Sequence, residues 1–179
     1  MNENNDFVLV EAVLNGNVNA FEELVKKYQK PVYNLAFKMT GDYDESKDIT
    51  QNTFIKGYEK LKSFDPSYKF FSWIYRIALN EALNMLAAKK RFADVDENLL
   101  RHPDTPAETY DKTEQAEIVN SALALIKDDY RTLIVLKHYQ GLSYDEIAEV
   151  LSISVQKVKS RLFMARQLLK NIILQNDRF

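Results

Sequence analysis

Apolar positions recur every three or four residues over most of the chain, the period of helices that each bury one face. Phe7, Val10 and Leu14 make a first short stripe, ended by Asn15-Gly16. Asn19-Ala20-Phe21-Glu22 predicts a helix start with Asn19 as the cap. Phe21, Leu24, Val25 and Tyr28 follow at helical spacing, and Pro31 predicts either a kink or a fresh start. Leu35, Ala36 and Met39 carry the stripe to Gly41. A helix is expected from about Glu45 to Leu61, with Phe54, Tyr58 and Leu61 on its apolar stripe and Ile49 behind them. Asp48, Gln51, Asn52 and Lys56 lie off that stripe, which suits either a solvated surface or a protein-binding face. The next helix is expected from about Phe70 to Lys90, buried through Phe71, Ile74, Ala78, Ala82 and Met85.

The period then fails from Phe92 to about Lys112, where Pro103 and Pro106 read as a linker. It resumes at Thr113. Ile118, Ala122 and Leu125 face one way, and Asp128-Asp129 starts a further helix through Tyr130, Leu133 and Ile134. Gly141 closes that helix. Ser143-Tyr144-Asp145-Glu146 is a capping box, in which the Ser hydroxyl and the Glu carboxylate each take a free backbone N–H. Ile147, Ala148 and Leu151 form a short apolar face. Ser152-Ile153-Ser154 interrupts it, and Ser154 caps a second helix. There Val155, Val158, Leu162, Ala165 and Leu169 share one stripe.

This pattern predicts an all-α protein of two small helical domains, residues 1–91 and 113–179, joined by a flexible acidic linker over 92–112. The C-terminal domain carries a helix-turn-helix. The two cores are expected to form separately.

Charge changes the picture in two places. The whole chain is near neutral, at −2, which argues against a generic nucleic-acid coat. Residues 94–117 hold eight acids and two bases, so the rest of the chain is net basic at +4. The linker charge could keep a tether solvated or imitate nucleic acid in a basic channel. The second feature is local. No Asp or Glu occurs from Ser152 to Gln175. The wet face of the last helix carries Gln156, Lys157, Lys159, Ser160, Arg161 and Arg166, all donors or cations. Such a helix suits a polyanion and has the width of the major groove.

Aromatic residues concentrate around the loop Ser63-Phe64-Asp65-Pro66-Ser67: Phe64, Tyr68, Phe70, Phe71, Trp73 and Tyr75. Most are expected in the core. Arg76, Asn80 and Asn84 follow on a neighbouring stripe. Rings beside donors and cations are what unpaired bases and their phosphates require.

Other chemistry is not signalled. There is no Gly-rich phosphate loop. Zero Cys rules out disulfides and thiolate metal sites. His102 and His138 have no ligand or nucleophile at motif spacing, and Glu22-Glu23 and Asp128-Asp129 suit the positive ends of helix dipoles. No enzyme, cofactor or metal site is expected. The polar start and the lack of a long apolar run predict a cytoplasmic protein without membrane insertion.

Three segments together resemble a known family, the sigma factors of bacterial RNA polymerase, of the sigma-70 type and its small extracytoplasmic-function group. Asp48-Ile49-Thr50-Gln51-Asn52-Thr53-Phe54-Ile55-Lys56 resembles the core-polymerase-binding helix. Phe71-Ser72-Trp73-Ile74-Tyr75-Arg76-Ile77-Ala78-Leu79-Asn80 resembles the segment that opens and reads the −10 element. Gly141-Leu142-Ser143-Tyr144-Asp145-Glu146-Ile147-Ala148 with Val158-Lys159-Ser160-Arg161-Leu162 resembles the −35-reading helix-turn-helix. The likeness spans roughly Leu9 to Leu169.

The resemblance implies roles. Asp48, Gln51, Asn52, Phe54 and Lys56 would form the polymerase-binding set, facing the clamp helices of the β′ subunit, with the β flap as a second polymerase contact. Ser63, Phe64, Tyr68, Lys69, Trp73, Arg76, Asn80 and Asn84 would serve −10 DNA, with the loop Ser63 to Lys69, Asn80 and Asn84 holding a flipped base. Ser143, Tyr144, Gln156, Lys157, Lys159, Ser160, Arg161, Phe163 and Arg166 would serve the −35 element. The linker would run along the RNA exit path, which favours the nucleic-acid-mimic reading of its charge. Family members are commonly held by an anti-sigma factor, so that is a further candidate partner. The chain departs from the family pattern at Ser152, where Gly is frequent. The alternative is a free-standing helix-turn-helix regulator, which leaves the Asp48–Asn84 block without a task.

Overall fold

The computed structural model describes residues 3–93 and 114–176, and all secondary structure among them is helical. The expected linker, apart from its first residues, lies outside the described residues. The N-terminal half holds α1 (Glu3–Leu14), α2 (Asn19–Thr40), α3 (Tyr43–Glu59) and α4 (Phe70–Ala93), with a 3-10 turn at Leu61–Ser63. The C-terminal half holds α5 (Glu114–Leu125), α6 (Asp128–Ile134), α7 (Tyr144–Leu151) and α8 (Val155–Asn176). A π-helical turn, Val135–Tyr139, continues α6.

Local chemistry explains most boundaries. Asp42 caps α3 by accepting the Glu45 N–H at 2.9 Å. Gly41 ends α2 in the left-handed region at φ 72°, the usual residue for that cap. Two expectations change. Asn19 is the first residue of α2 rather than its cap. The turn before it is already helical, so the Asn17 and Val18 carbonyls take the Ala20 and Phe21 N–H groups. Of the two outcomes expected at Pro31, the fresh start does not occur, because α2 runs through it from Asn19 to Thr40.

The helices α2, α3 and α4 pack around Leu24, Tyr28, Val32, Leu35, Ile49, Ile74 and Ala78, all buried. Gly57 lets α3 and α4 approach closely. A Cβ there would lie 2.9 Å from Ile74 Cδ1, so only Gly fits without a shift. Asp6 is buried and pins α1 to α2 through Lys27 and the Tyr28 hydroxyl.

The two cores are not separate, contrary to expectation. Buried side chains of both halves form one continuous apolar cluster. Two arginines join them, each reaching across to a helix C-terminus, where carbonyls have no partner in their own helix. Arg131 of α6 is only 8% exposed. It donates to the Met39 carbonyl at the end of α2 (2.6 Å) and to those of Leu123 (2.9 Å) and Ala124 (2.7 Å) in α5. Burial lowers its pKa and Asp128 opposes that, and an arginine keeps its charge throughout. In return, Arg76 of α4 donates to the Glu149 carbonyl (2.6 Å) and the Val150 carbonyl (3.1 Å) at the end of α7. Lys38 to Asn120 (2.8 Å) and Lys90 to Asp128 (2.6 Å) add exposed contacts.

Candidate nucleic-acid and polymerase interfaces

The helix-turn-helix is built from local signals. The Glu146 N–H donates to Ser143 Oγ at 3.2 Å, and the Ser143 N–H donates to Glu146 Oε2 at 2.8 Å. The predicted capping box is therefore present. Ser152 ends α7 in the left-handed region, at φ 53° and ψ 45°. That conformation costs a residue with a Cβ about 1–2 kcal/mol. Ser154 then accepts the Lys157 N–H at 3.3 Å and starts α8.

Val158, Leu162 and Ala165 are buried, so α8 turns its opposite face outward. Gln156, Lys157, Lys159, Ser160 and Arg166 are exposed, and Arg161 is half-buried. Phe163 is 60% exposed on the same helix. Ser143 is exposed and Tyr144 half-buried at the start of α7. The Lys159 and Lys137 ammonium groups lie 6.0 Å and 5.0 Å from the Tyr144 ring centre. Arg166 Nε donates to His138 Nε2 at 3.3 Å. Burial, then the Arg166 and Lys137 charges, hold the His138 imidazole below its ordinary value. It is therefore neutral near pH 7, as an acceptor from arginine must be. The result is a cationic helix face open to solvent.

The second candidate face lies at the start of α4 and the loop before it. Phe64 anchors this loop. Its ring is buried and lies 5.7 Å from Phe70, 5.4 Å from Trp73 and 6.2 Å from Phe7. Phe64 therefore shapes the loop from beneath and offers almost no surface. Asp65 closes the loop by accepting the Ser67 N–H at 2.9 Å, which lowers its pKa. Ser63 and Tyr68 are exposed, Lys69 and Trp73 half-buried. Arg76, Asn80 and Asn84 fall one turn apart on α4, and both asparagines are exposed. Arg76 is occupied by the α7 carbonyls already described.

The third face is on α3. Asp48, Gln51 and Asn52 are exposed together. Phe54 is not among them. It is 8% exposed and packs in the core, because it follows Asp48 at a spacing that turns it inward. Lys56 is held by Glu81 of α4, with Nζ 2.6 Å from Oε1, so it braces two helices rather than standing alone.

Several residues at these faces escaped the sequence reading. Tyr58 was expected on the apolar stripe but is 45% exposed, and Ile55 is 48% exposed. Both extend the α3 surface, beside a shallow apolar groove lined by Phe21, Val18 and Val25. Ile55 could have been suspected, since it lies one turn from Gln51 and Asn52. Gln140 and Glu149 were also missed. The Tyr75 hydroxyl donates to Gln140 Oε1 at 3.1 Å, and burial pushes its pKa up to about 12. Glu149 Oε1 accepts the Lys69 backbone N–H at 3.0 Å. Local periodicity carries no signal for pairs so far apart in the chain.

Among the described residues no group of three or more His, Asp or Glu could hold a metal, and no helix is long and apolar enough to cross a membrane.

The family described as Sigma-70 region 2 matches residues 24–92, and the one described as Sigma-70, region 4 matches residues 116–169. The chain is 37% identical to the ECF RNA polymerase sigma-E factor of Haemophilus influenzae, over 94% of this chain and 95% of that one. It is 34% identical to the RNA polymerase sigma-H factor of Pseudomonas aeruginosa, over 93% of each. It is 32% identical to the ECF RNA polymerase sigma factor SigW of Bacillus subtilis, over 90% of this chain and 92% of that one. Among solved structures, CnrH in complex with the cytosolic domain of CnrY superposes with a TM-score of 0.71 at 26% identity, covering 94% of this chain and 97% of that one. The fold is also that of the sigma factor RpoE of Bartonella quintana, solved with the anti-sigma factor NepR, with a TM-score of 0.74 at 20% identity, covering 87% of this chain and 98% of that one.

Proposed function

The chain belongs to the extracytoplasmic-function sigma factors of RNA polymerase, and from that premise we propose how its surfaces divide the work of starting transcription. It binds core RNA polymerase and directs initiation at specific promoters, reading −35 and −10 elements and helping to melt the duplex. It acts in the cytoplasm as a dissociable factor and adds no catalytic group of its own. The observation that carries this reading is the order of parts in one chain: an exposed polar helix, an aromatic and cationic segment, then a capped turn with an acid-free basic helix.

In this reading residues 1–91 bind the polymerase and the −10 element, residues 92–112 are the tether, and residues 113–179 read the −35 element and meet the β flap. Asp48, Gln51 and Asn52 face the β′ clamp helices, with Ile55 and Tyr58 supplying apolar contact beside them. Gln156, Lys157, Lys159, Ser160, Arg161 and Arg166 address the −35 groove and its phosphates, with Ser143 and Tyr144 at its edge. Lys69, Trp73, Arg76, Asn80 and Asn84, with Ser63 and Tyr68 in the loop, address the opened −10 strand. Unstacking a base costs about a few kcal/mol, which ring contacts and edge hydrogen bonds must offset. Two weak contacts on one tether reinforce each other, by about 10²–10⁴ in avidity. An anti-sigma partner fits as well, since the RpoE structure contains one bound to that protein.

Run-off transcription with purified core enzyme tests the assignment. The full chain should form a 1:1 complex on gel filtration and yield transcripts from defined start sites. A chain that leaves core polymerase unbound would end this reading. Asn80→Ala should impair promoter opening while leaving polymerase capture intact; equal loss in both assays would remove Asn80 from the −10 face.

A further inference from the structure

The π-helical turn Val135–Tyr139 brings two more side chains to the cationic face of α8. Arg166 Nε donates to His138 Nε2 at 3.3 Å, and both side chains are exposed. Lys137 stands beside His138, its ammonium 5.0 Å from the Tyr144 ring centre, and the Lys159 ammonium is 6.0 Å from the same ring. Lys137 Nζ also donates to the Leu142 carbonyl at 2.9 Å, which fixes it near the start of α7. Among the described residues Lys137, Lys159 and Arg166 have no carboxylate partner. A hydrogen bond from a guanidinium requires a neutral imidazole. The charges that bear on that imidazole are Arg166 and Lys137, both positive. Lys38 of α2 lies over the next ring, Tyr139, at 4.5 Å and adds another cation. The nearby acids are engaged elsewhere: Asp128 of α6 by Lys90 and Arg131, Glu146 and Glu149 of α7 by Lys69. His138 is the one side chain of this face whose charge can change near neutral pH, and a negative charge that would stabilise its cation must come from outside the chain.

We propose that His138 is a further phosphate ligand of the −35 face: it accepts from Arg166 in the free protein, and on duplex DNA both side chains donate to one backbone phosphate. This rests on the function proposed above for α8. A phosphate oxygen only accepts, so the imidazole must turn from acceptor to donor, and it takes its second proton from solvent as it does so. The phosphate charge offsets the repulsion between imidazolium and guanidinium that disfavours this state in the free chain. Binding to DNA therefore takes up a proton, and the His138 pKa is higher bound than free. The extra affinity is complete below the free value and is lost as pH rises through the bound value. Each pH unit between the two values is worth a tenfold change in affinity. A phosphate contact positions the protein and reads no base, so the gain is the same for every duplex sequence.

The chain has two histidines, His102 and His138, so each imidazole can be followed by NMR in the full-length protein. A saturating mixed-sequence duplex should raise the His138 pKa by about one unit. Affinity for the same duplex, read by fluorescence anisotropy, should rise about fivefold from about pH 8 to about pH 6, and the log–log salt slope should steepen by about one. In His138→Gln the ratio of affinities at the two pH values should fall below about twofold. His138→Lys carries a fixed charge and should bind at about pH 8 as the parent does at about pH 6. His102→Gln should keep the parent profile. An unmoved or lowered His138 pKa on DNA, an affinity that falls with acid, or an acid gain that survives in His138→Gln would each overturn the proposal. So would an acid gain lost in His102→Gln, or a His138→Lys chain no tighter than the parent at about pH 8. Polymerase capture and start-site selection test the proposed function without this proton. Their failure beside a raised His138 pKa would strike that function alone, and their success beside an unmoved pKa would strike this contact alone.

Discussion

The outward face of α8 and the start of α4 carry similar chemistry in opposite surroundings. Both offer cations and hydrogen-bond donors. On α8 most of those groups are exposed, and the buried stripe of Val158, Leu162 and Ala165 faces the neighbouring helices. On α4 they meet the carboxylates and helix-end carbonyls of α7. A donor-rich face in a folded chain is open only if no other part of the chain brings matching acceptors to it. Here the acceptors come from the far half of the molecule, and one of them, Glu146, is also the carboxylate of the α7 capping box.

The largest effect should come from removing the other arm of the exchange. Arg131→Ala leaves helix-end carbonyls of both α2 and α5 without their buried donor. It should cost about 3 kcal/mol in chemical denaturation and loosen the packing of the two halves without touching α4. A loss under about 1 kcal/mol would mean that water replaces the guanidinium easily.

The open face is tested next. Lys159→Ala and Arg161→Ala should weaken duplex binding, and each lost phosphate contact should lower the log–log salt slope by about one. An unchanged slope in both would take those residues off the phosphates. Smaller still is Ser152→Gly. It relieves the left-handed turn between α7 and α8, and should raise stability by about 1 kcal/mol with DNA affinity unaltered. A thermal midpoint that falls would show that the Ser152 side chain contributes more than its strain costs.

The smallest effect is one of pH. Burial raises the Glu146 pKa, but hydrogen bonds from Ser143 and then Lys69 outweigh it and leave the carboxyl below its ordinary value of 4.5. A carboxyl lowered in the folded state contributes stability that is complete above its unfolded pKa. That contribution is lost as pH falls through the lowered value. Acid titration should therefore weaken α7 and its contact with α4 below about pH 4.5, and Glu146→Gln should flatten that part of the curve. A Glu146→Gln curve identical to the parent would remove this carboxyl from the acid response.

Much of the fold was legible because its signals are local. The Ser143–Glu146 box spans four residues, and the stripe from Val158 to Ala165 spans two turns. Such features depend only on backbone geometry that neighbouring residues impose. The candidate faces were legible as composition: no acid within α8, polar residues along α3, rings and asparagines around α4. Their surroundings were not. Phe54 and Phe64 look like contact residues in a motif and turn out to support from beneath. Tyr58 looks like core and is exposed. Period alone tells which residues share a stripe, and it cannot tell how much of that stripe a neighbouring helix covers.

From residue order alone came an all-helical chain, its turn chemistry and the basic side of α8, since each follows from spacing within a few residues. Only the folded arrangement decided that Arg131 closes the end of α2, that Arg76 closes the end of α7, and that one donor-rich face is filled while the other stays open. Those contacts join residues more than seventy positions apart. Charges and helix-end carbonyls at that separation find one another through the packing of whole helices, which no short stretch of sequence encodes.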